Sequence, residues 1–336
     1  MSIFNYLKNQ IRGKSHLTLG FLLVTLLLFP LLVKSQFVIR VVINILIYIM
    51  LASSMNIING FGGMFSIGHA GYYCVGAYTA AILSTRFGWS FWILLPLSGA
   101  MAGIVSMLLL GFPALRLRGL YFAMVTLGFS EVIRLIVLNW ITLTRGPMGI
   151  PGIPFPTFFG NSIRYNWQFY YIILGIVVLM LFIIQRVLNS RIGRAWISIR
   201  EDETAASAMG VEVFRYKLMN LFFATFWAGV AGCIYAFFAR YISADSFTLD
   251  EGFSILAMVI VGGQGSFIGP ILGPFLLLTL TEIFRGIAQY RLIIFGAAIL
   301  IVMHLRPGGI AGGRMHSIKL SNIQEIKQKL SVRQDK

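Results

Sequence analysis

Along this chain apolar residues come in long runs, and polar residues come in short interruptions. A run of about 20 apolar residues is what an α-helix needs to cross the hydrocarbon core of a bilayer. Such runs occupy Leu17–Val33, Phe37–Ile58, Phe91–Phe112, Leu120–Ile141, Gln168–Val187, Leu218–Phe238 and Leu292–Leu305. Two further regions are apolar but broken. Met64–Ser84 is studded with glycine and carries Ser66 and His69, while Ser254–Phe284 is too long for one span and is interrupted by "GGQGSFIGPILGP". If the first crosses once and the second divides into two short helices at its glycines, about ten crossings result. The pattern predicts an all-α, polytopic integral membrane protein that includes Gly-rich interrupted helices.

Composition excludes a soluble alternative. The 336 residues are 58% hydrophobic and only 11% charged, where a soluble domain carries about 25% charged residues. The two cysteines, Cys74 and Cys233, lie in apolar runs and offer neither a disulfide framework nor metal-ligand spacing. The first apolar run lacks a small-residue cleavage site and reads as an anchor rather than a removed signal.

The net charge of +16 changes the picture through its placement. Cations sit at both termini and in short loops: Lys8, Arg12 and Lys14; Arg116 and Arg118; Arg186, Arg191, Arg194, Arg200, Arg215 and Lys217; Arg306, Arg314, Lys319, Lys327, Lys329 and Arg333. That is the distribution of orientation signals, not of the basic face that binds nucleic acid. Placing all four groups in the cytosol gives a cytosolic segment at 1–16, a transmembrane region at 17–305 with a cytosolic loop at 188–217, and a basic cytosolic tail at 306–336. Both termini are then cytosolic. The Pro- and Gly-rich "TRGPMGIPGIPFPTFFGNSIRYN" falls outside, as an irregular, compact loop. Lys34, Arg40 and Arg86 also fall outside, near helix ends where long cationic side chains can snorkel.

Candidate chemistry is sparse. "GKS" at Gly13–Ser15 lacks the earlier glycine and the preceding strand of a phosphate-binding loop, so any energy from ATP must come from a partner. No nucleophile, base and orienting group are grouped as in an enzyme, and no cofactor or metal is expected. The glycines of "NIINGFGGMFSIGHAGYYCVGAYTAAIL" are too many for a helix that merely spans lipid. They suit either close helix packing or an interrupted helix that lines a path, and His69 favours the path, because an ionisable group in the membrane faces protein or water. "VIVGGQGSFIGPILGPF" shares the Gly-Gly opening and a Ser followed by Gly. Gly63, Ser66, Gly68, His69, Gly262, Gly263, Gly265 and Ser266 are therefore the candidate path residues. Glu131–Arg134 and Glu282–Arg285 are spaced to pair on one helix face. Pairing lowers the cost of about 3 kcal/mol or more for a charge at the bilayer centre.

The loop "SRIGRAWISIREDETAASAMGVEVFRYK" gathers Glu201, Asp202, Glu203 and Glu212, four of the chain's eleven acids. Acids ahead of Ala205, Ala206 and Ala208 sit at the favourable end of a helix, and Gly210 comes where a helix would stop. A short cytosolic helix with a small-residue face is expected, either an ordinary connector or a docking surface.

This loop resembles the cytosolic loop of the branched-chain amino acid ABC permeases of the LivM type. "NGFGGMFSIGHAGYYCVGAYTAA", "LRLRGLYFAMVTLGFSEVIRL", "TRGPMGIPGIP" and "VIVGGQGSFIGPILG" also look like family segments and stand in the expected order. The resemblance covers roughly residues 40 to 305. It implies an ABC importer permease fold in the cytoplasmic (inner) membrane and partners in the form of a second, LivH-like permease subunit, two ABC ATPases and an extracytoplasmic solute-binding protein. It also implies that the loop is the coupling helix docking on an ATPase, with Glu201, Asp202, Glu203, Ala205, Ala206 and Gly210 at the contact. Thr204 separates Glu203 from Ala-Ala, so which acid makes that contact stays open, and the basic tail has no counterpart. Branched-chain amino acids are the implied cargo. Urea, short amides or other small amphiphiles are the alternative within the class, and an ion-coupled secondary transporter is the alternative outside it.

Overall fold

The structure, a computed structural model of the chain, describes Pro30 and residues 35–115, 117, 119–158, 161–283, 291–306 and 308–311. The expected span at Leu17–Val33 lies outside these apart from Pro30, as do Lys8, Arg12, Lys14, Arg116, Arg118, Arg285 and the tail from Gly312. Among the described residues, five helices are long and apolar enough to cross a membrane: Gln36–Phe61, Phe91–Ala114, Leu120–Asn139, Asn166–Leu188 and Val213–Ala239. In chain order we label α1 (Gln36–Asn56), α2 (His69–Phe87), α3 (Phe91–Ser106), α4 (Leu120–Asn139), α5 (Asn166–Leu188), α6 (Arg191–Glu201), α7 (Glu203–Ala208), α8 (Val213–Ala239), α9 (Leu249–Gly262), α10 (Gly269–Ile283) and α11 (Arg291–Leu305). Wider π turns extend α1 through Ile57–Phe61 and α3 through Met107–Gly111.

Small residues set how closely these helices approach. Lipid tails are as apolar as leucine, so helices in a membrane associate through tight packing and polar contacts. A methyl group added at Gly76 would fall within the backbone of Gly229, and one at Gly232 within that of Tyr73 and Ala77. Gly99, Gly103 and Gly111 lie in turn against Phe226, Phe222 and Leu218, so α3 runs antiparallel to α8. Gly68 packs on Thr126 and Gly71 on Ser130, so α2 runs parallel to α4. Ser106 and Thr225 share a 2.7 Å hydrogen bond inside the α3–α8 contact. The core centres on α1, where Ile43, Met50, Leu51, Met55, Ile57 and Ile58 are fully buried, and on the glycine face of α8.

Two expectations are refined here. Met64–Ser84 is not one helix: the chain leaves helical geometry at Gly62, runs irregularly to Gly68, and only then enters α2. Gly63 takes a φ of +66°, a conformation that glycine adopts at little cost. The helix then outlasts the expected end and stops at Gly88, also left-handed. Ser254–Phe284 does divide at its glycines, into α9 and α10, with Gly263 and Gly265 at positive φ.

At the far end from the α6–α7 loop, the Pro- and Gly-rich connection is irregular and tied down. Ile150–Pro151 pairs antiparallel with Tyr241–Ile242. Arg86 donates to the carbonyls of Thr142 and Leu143, Trp92 to that of Thr157, and Tyr241 to that of Met148. Arg240 donates to the Ile153 carbonyl and stacks over Phe155 at 3.9 Å.

Candidate functional site: a capped loop helix beside two broken spans

The loop folds as two helices rather than one. Ser190 caps α6, accepting from the Ile192 N–H at 3.2 Å. Trp196 anchors α6 to α8 by donating to the Tyr216 carbonyl at 2.9 Å. At Asp202 the backbone turns extended (φ −156°), and its carboxylate accepts from the Thr204 and Ala205 N–H groups at 2.8 and 2.9 Å. Asp202 is therefore the N-cap that starts α7, the role short acidic side chains fill at orphan helix donors. Val211 N–H then closes back on the Ala206 carbonyl at 3.1 Å, with Gly210 at φ +84°. That is the Schellman stop.

This geometry corrects the expected acidic start. Glu201 does not lead the small-residue helix. It ends α6, the end where negative charge is unfavourable, and Arg200 compensates it at 2.6 Å. Glu203, in the first turn of α7, pairs at 2.9 Å with Lys217, itself 9% exposed along its side chain. Glu201 presents more carboxylate to solvent than Glu203, with 67% side-chain exposure against 27%. The alanines also separate: Ala206 is buried against its own chain, whereas Thr204, Ala205, Ser207, Ala208 and Met209 form the exposed face.

The two glycine-rich breaks lie against each other and beside this loop. Asn59 donates to the Ser66 carbonyl and accepts from the Ser66 N–H, both at 2.9 Å, closing the irregular connector as a backbone pair would. Thr126 accepts from the Ile67 N–H. Asn56 does the same for the second break, donating to the Ser266 carbonyl and accepting from the Gly265 N–H, both at 2.8 Å. Gln264 donates to the Asn59 carbonyl, Asn220 to that of Ile57, and Arg200 to that of Gly60. Backbone groups freed by a break inside a bilayer need such partners. Ser266 also caps α10 through the Gly269 N–H at 2.8 Å.

Of the expected path residues, Gly63, Ser66 and Gly68 belong to the first break, and Gly262, Gly263, Gly265 and Ser266 to the second. His69 opens α2 fully buried, its ring edge-on to Tyr72, which packs on Phe129. Glu131 and Arg134 form the expected pair on α4, with Nε 3.0 Å from Oε2. Glu282 lies in the last turn of α10, and its expected partner Arg285 lies outside the described residues. Among the described residues no cluster of metal ligands exists.

Sequence reading missed the amides and Arg200, and it missed a cavity of ≈ 420 Å³. That cavity is lined by Tyr48, Tyr73 and Tyr235, by Asp245, Asp250 and Glu251, and by Ser246, Thr248 and Ser254. The available signal was "DSFTLDEGFS", three acids in ten residues where acids are scarce.

A helical membrane bundle that presents a short capped helix beside two glycine-broken spans has the organisation of a transport permease. The chain belongs to the family of permease components of branched-chain amino acid transport systems, whose model matches residues 37–303. It is 36% identical over 332 residues to the high-affinity branched-chain amino acid transport system permease protein LivM of Escherichia coli K12, covering 92% of this chain and 78% of that protein. To the LivM protein of Salmonella typhimurium LT2 it is 37% identical over 302 residues, 83% of this chain and 71% of the relative. A solved metal-chelate type ABC transporter in an inward-facing conformation aligns with a TM-score of 0.43 and 17% identity, over 79% of this chain and 83% of that one, a likeness too slight to argue from.

Proposed function

We propose that this chain is one permease subunit of an ATP-binding cassette importer that moves leucine, isoleucine and valine across the cytoplasmic membrane. The carrying observation is the match along nearly the whole chain to proteins named as branched-chain amino acid permeases. In this reading residues 17–305 form the transmembrane unit, and the 188–217 loop, the 1–16 segment and the basic 306–336 tail face the cytosol. A second related permease subunit, two ATPases and an external solute-binding protein complete the assembly.

The geometry of the described loop and broken spans suits the docking and transport parts of that reading. Helix α7 is held from beneath by Asp202, the Glu203–Lys217 pair and the Ala206 contact. It presents a low, small-residue face on which an ATPase subunit can seat. Glu201, with 67% of its side chain exposed beside α7, is the acidic contact. The broken spans that the loop touches are then the moving part of the path. The cavity between α1, α2, α8 and the start of α9 offers carboxylates and phenols, acceptors suited to the ammonium of an amino acid.

The test is uptake by the assembled transporter in proteoliposomes with its binding protein. We expect ATP-dependent accumulation of radiolabelled leucine. Accumulation of urea or acetamide instead would keep the class and replace the cargo. Gradient-driven uptake by this chain alone, without an ATPase, would replace the class with a secondary transporter.

A further inference from the structure

The Arg200 guanidinium reaches out of the loop into the slot where both breaks meet. Its Nη1 donates to the Gly60 carbonyl at 2.8 Å, while Nη2 holds Glu201 at 2.6 Å on the loop side. The slot is shaped by three glycines. A methyl group added at Gly63 would fall 2.7 Å from Arg200 Cγ, one at Gly265 would fall 2.8 Å from Arg200 Nη1, and one at Gly60 would fall 2.5 Å from the Gly265 nitrogen. These contacts tie one side chain to the π turn that ends α1, to the connector before α2 and to the connector between α9 and α10.

The amides carry that tie onward. Gly60 lies one residue from Asn59, which organises the first break through Ser66 and accepts Gln264 of the second on its own carbonyl. Asn56, one turn back, holds Gly265 and Ser266. On the loop side, Arg200 is two residues from Asp202, where α6 gives way to α7. A displacement of α7 therefore reaches Arg200 through a single extended residue.

We propose that Arg200 is the positioning residue that couples the loop to the transport path: its guanidinium transmits movement of α7 to both glycine-rich breaks at once. The planar fork is what allows this, because it can bond Glu201 and the Gly60 carbonyl together, whereas an ammonium is a single point. The inference rests on the permease reading above, and its test separates the two.

The native Cys74 and Cys233 are buried, so a cysteine placed at the exposed Ile268, in the second break, reports on that break alone. In the assembled transporter, Ile268→Cys should change its labelling rate when the ATPases are trapped with vanadate. Adding Arg200→Ala should cut that change by about fivefold or more and lower leucine uptake in parallel, with ATP hydrolysis held within about twofold, as expected for loss of a coupling energy rather than of the ATPases. Arg200→Lys keeps the charge beside Glu201 and should lose the change as well, which covers the case in which the alanine variant does not assemble. A full labelling change in either variant overturns the proposal, as does the absence of any change with Arg200 in place. An intact labelling change without leucine uptake counts only against the proposed cargo.

Discussion

Asn59 does with one side chain what a strand partner does with a backbone, giving and taking a hydrogen bond with Ser66 in a site where only 4% of the residue is exposed. Replacing it with leucine of similar size leaves a buried N–H and a buried carbonyl without partners, at about 1–3 kcal/mol for each such group. Asn59→Leu is therefore expected to unfold at a lower temperature. Burial of both native cysteines supplies the assay: a thiol-reactive dye should see them only as the bundle opens. Gly128 makes the opposite control, since a methyl group there meets nothing and alanine favours a helix by about 1 kcal/mol. Gly128→Ala should raise the same transition, and a fall in both variants would mean that the assay reports detergent sensitivity rather than the Ser66 bracket.

Helix α7 shows how two neighbouring alanines come to have opposite consequences. Ala206 is 5% exposed and lies under the helix, while Ala205 is exposed on top of it. Ala206→Arg should disrupt the loop itself, lowering thermal stability and membrane yield. Ala205→Arg should leave the permease folded and detach the ATPase on co-purification. Equal ATPase retention in Ala205→Arg and the native chain would remove this face as the docking surface. The existence of this helix was legible in the sequence, because its signals are local: an Ala-rich stretch, acids before it and a glycine after. Its boundary was not. Three consecutive acids look alike in a row of letters, and only backbone geometry makes Asp202 a cap, Glu201 the end of one helix and Glu203 the partner of a lysine fourteen residues on. The breaks were legible for the same reason, as glycines in oily runs. Their partners were missed because Asn56 lies over two hundred residues from Gly265, and a hydrogen bond at that distance leaves no mark on either segment. An asparagine or glutamine inside an apolar run was the one usable signal, since a polar group buried there needs a partner.

At the scale of the molecule, everything proposed about docking depends on which end of the bundle faces the cytosol. Met148 and Met209 mark the two ends: both are exposed, at 82% and 85%, and α5 runs between the loops that carry them. Its 23 residues extend about 34 Å at 1.5 Å per residue, more than the roughly 30 Å of a bilayer core, so the two methionines belong on opposite sides. Charge is the guide to the proposed side. Arg186, Arg191, Arg194, Arg200, Arg215 and Lys217 cluster about the Met209 end, whereas the Met148 loop holds its arginines, Arg145 and Arg164, among prolines and glycines. Cationic loops are retained in the cytosol. A membrane-impermeant maleimide added to intact cells should then label Met148→Cys and spare Met209→Cys until the membrane is opened. Labelling in the reverse order would put α7 outside, where no ATPase could reach it, and would leave Arg200 as a brace for the broken spans with no drive to transmit. Labelling of both from outside would mean that α5 does not cross, and the pairing of an inner loop with an outer cavity would be lost with it. The expected pattern would put α7 on the side that an ATPase can reach, which the proposed route from α7 through Arg200 into the breaks requires.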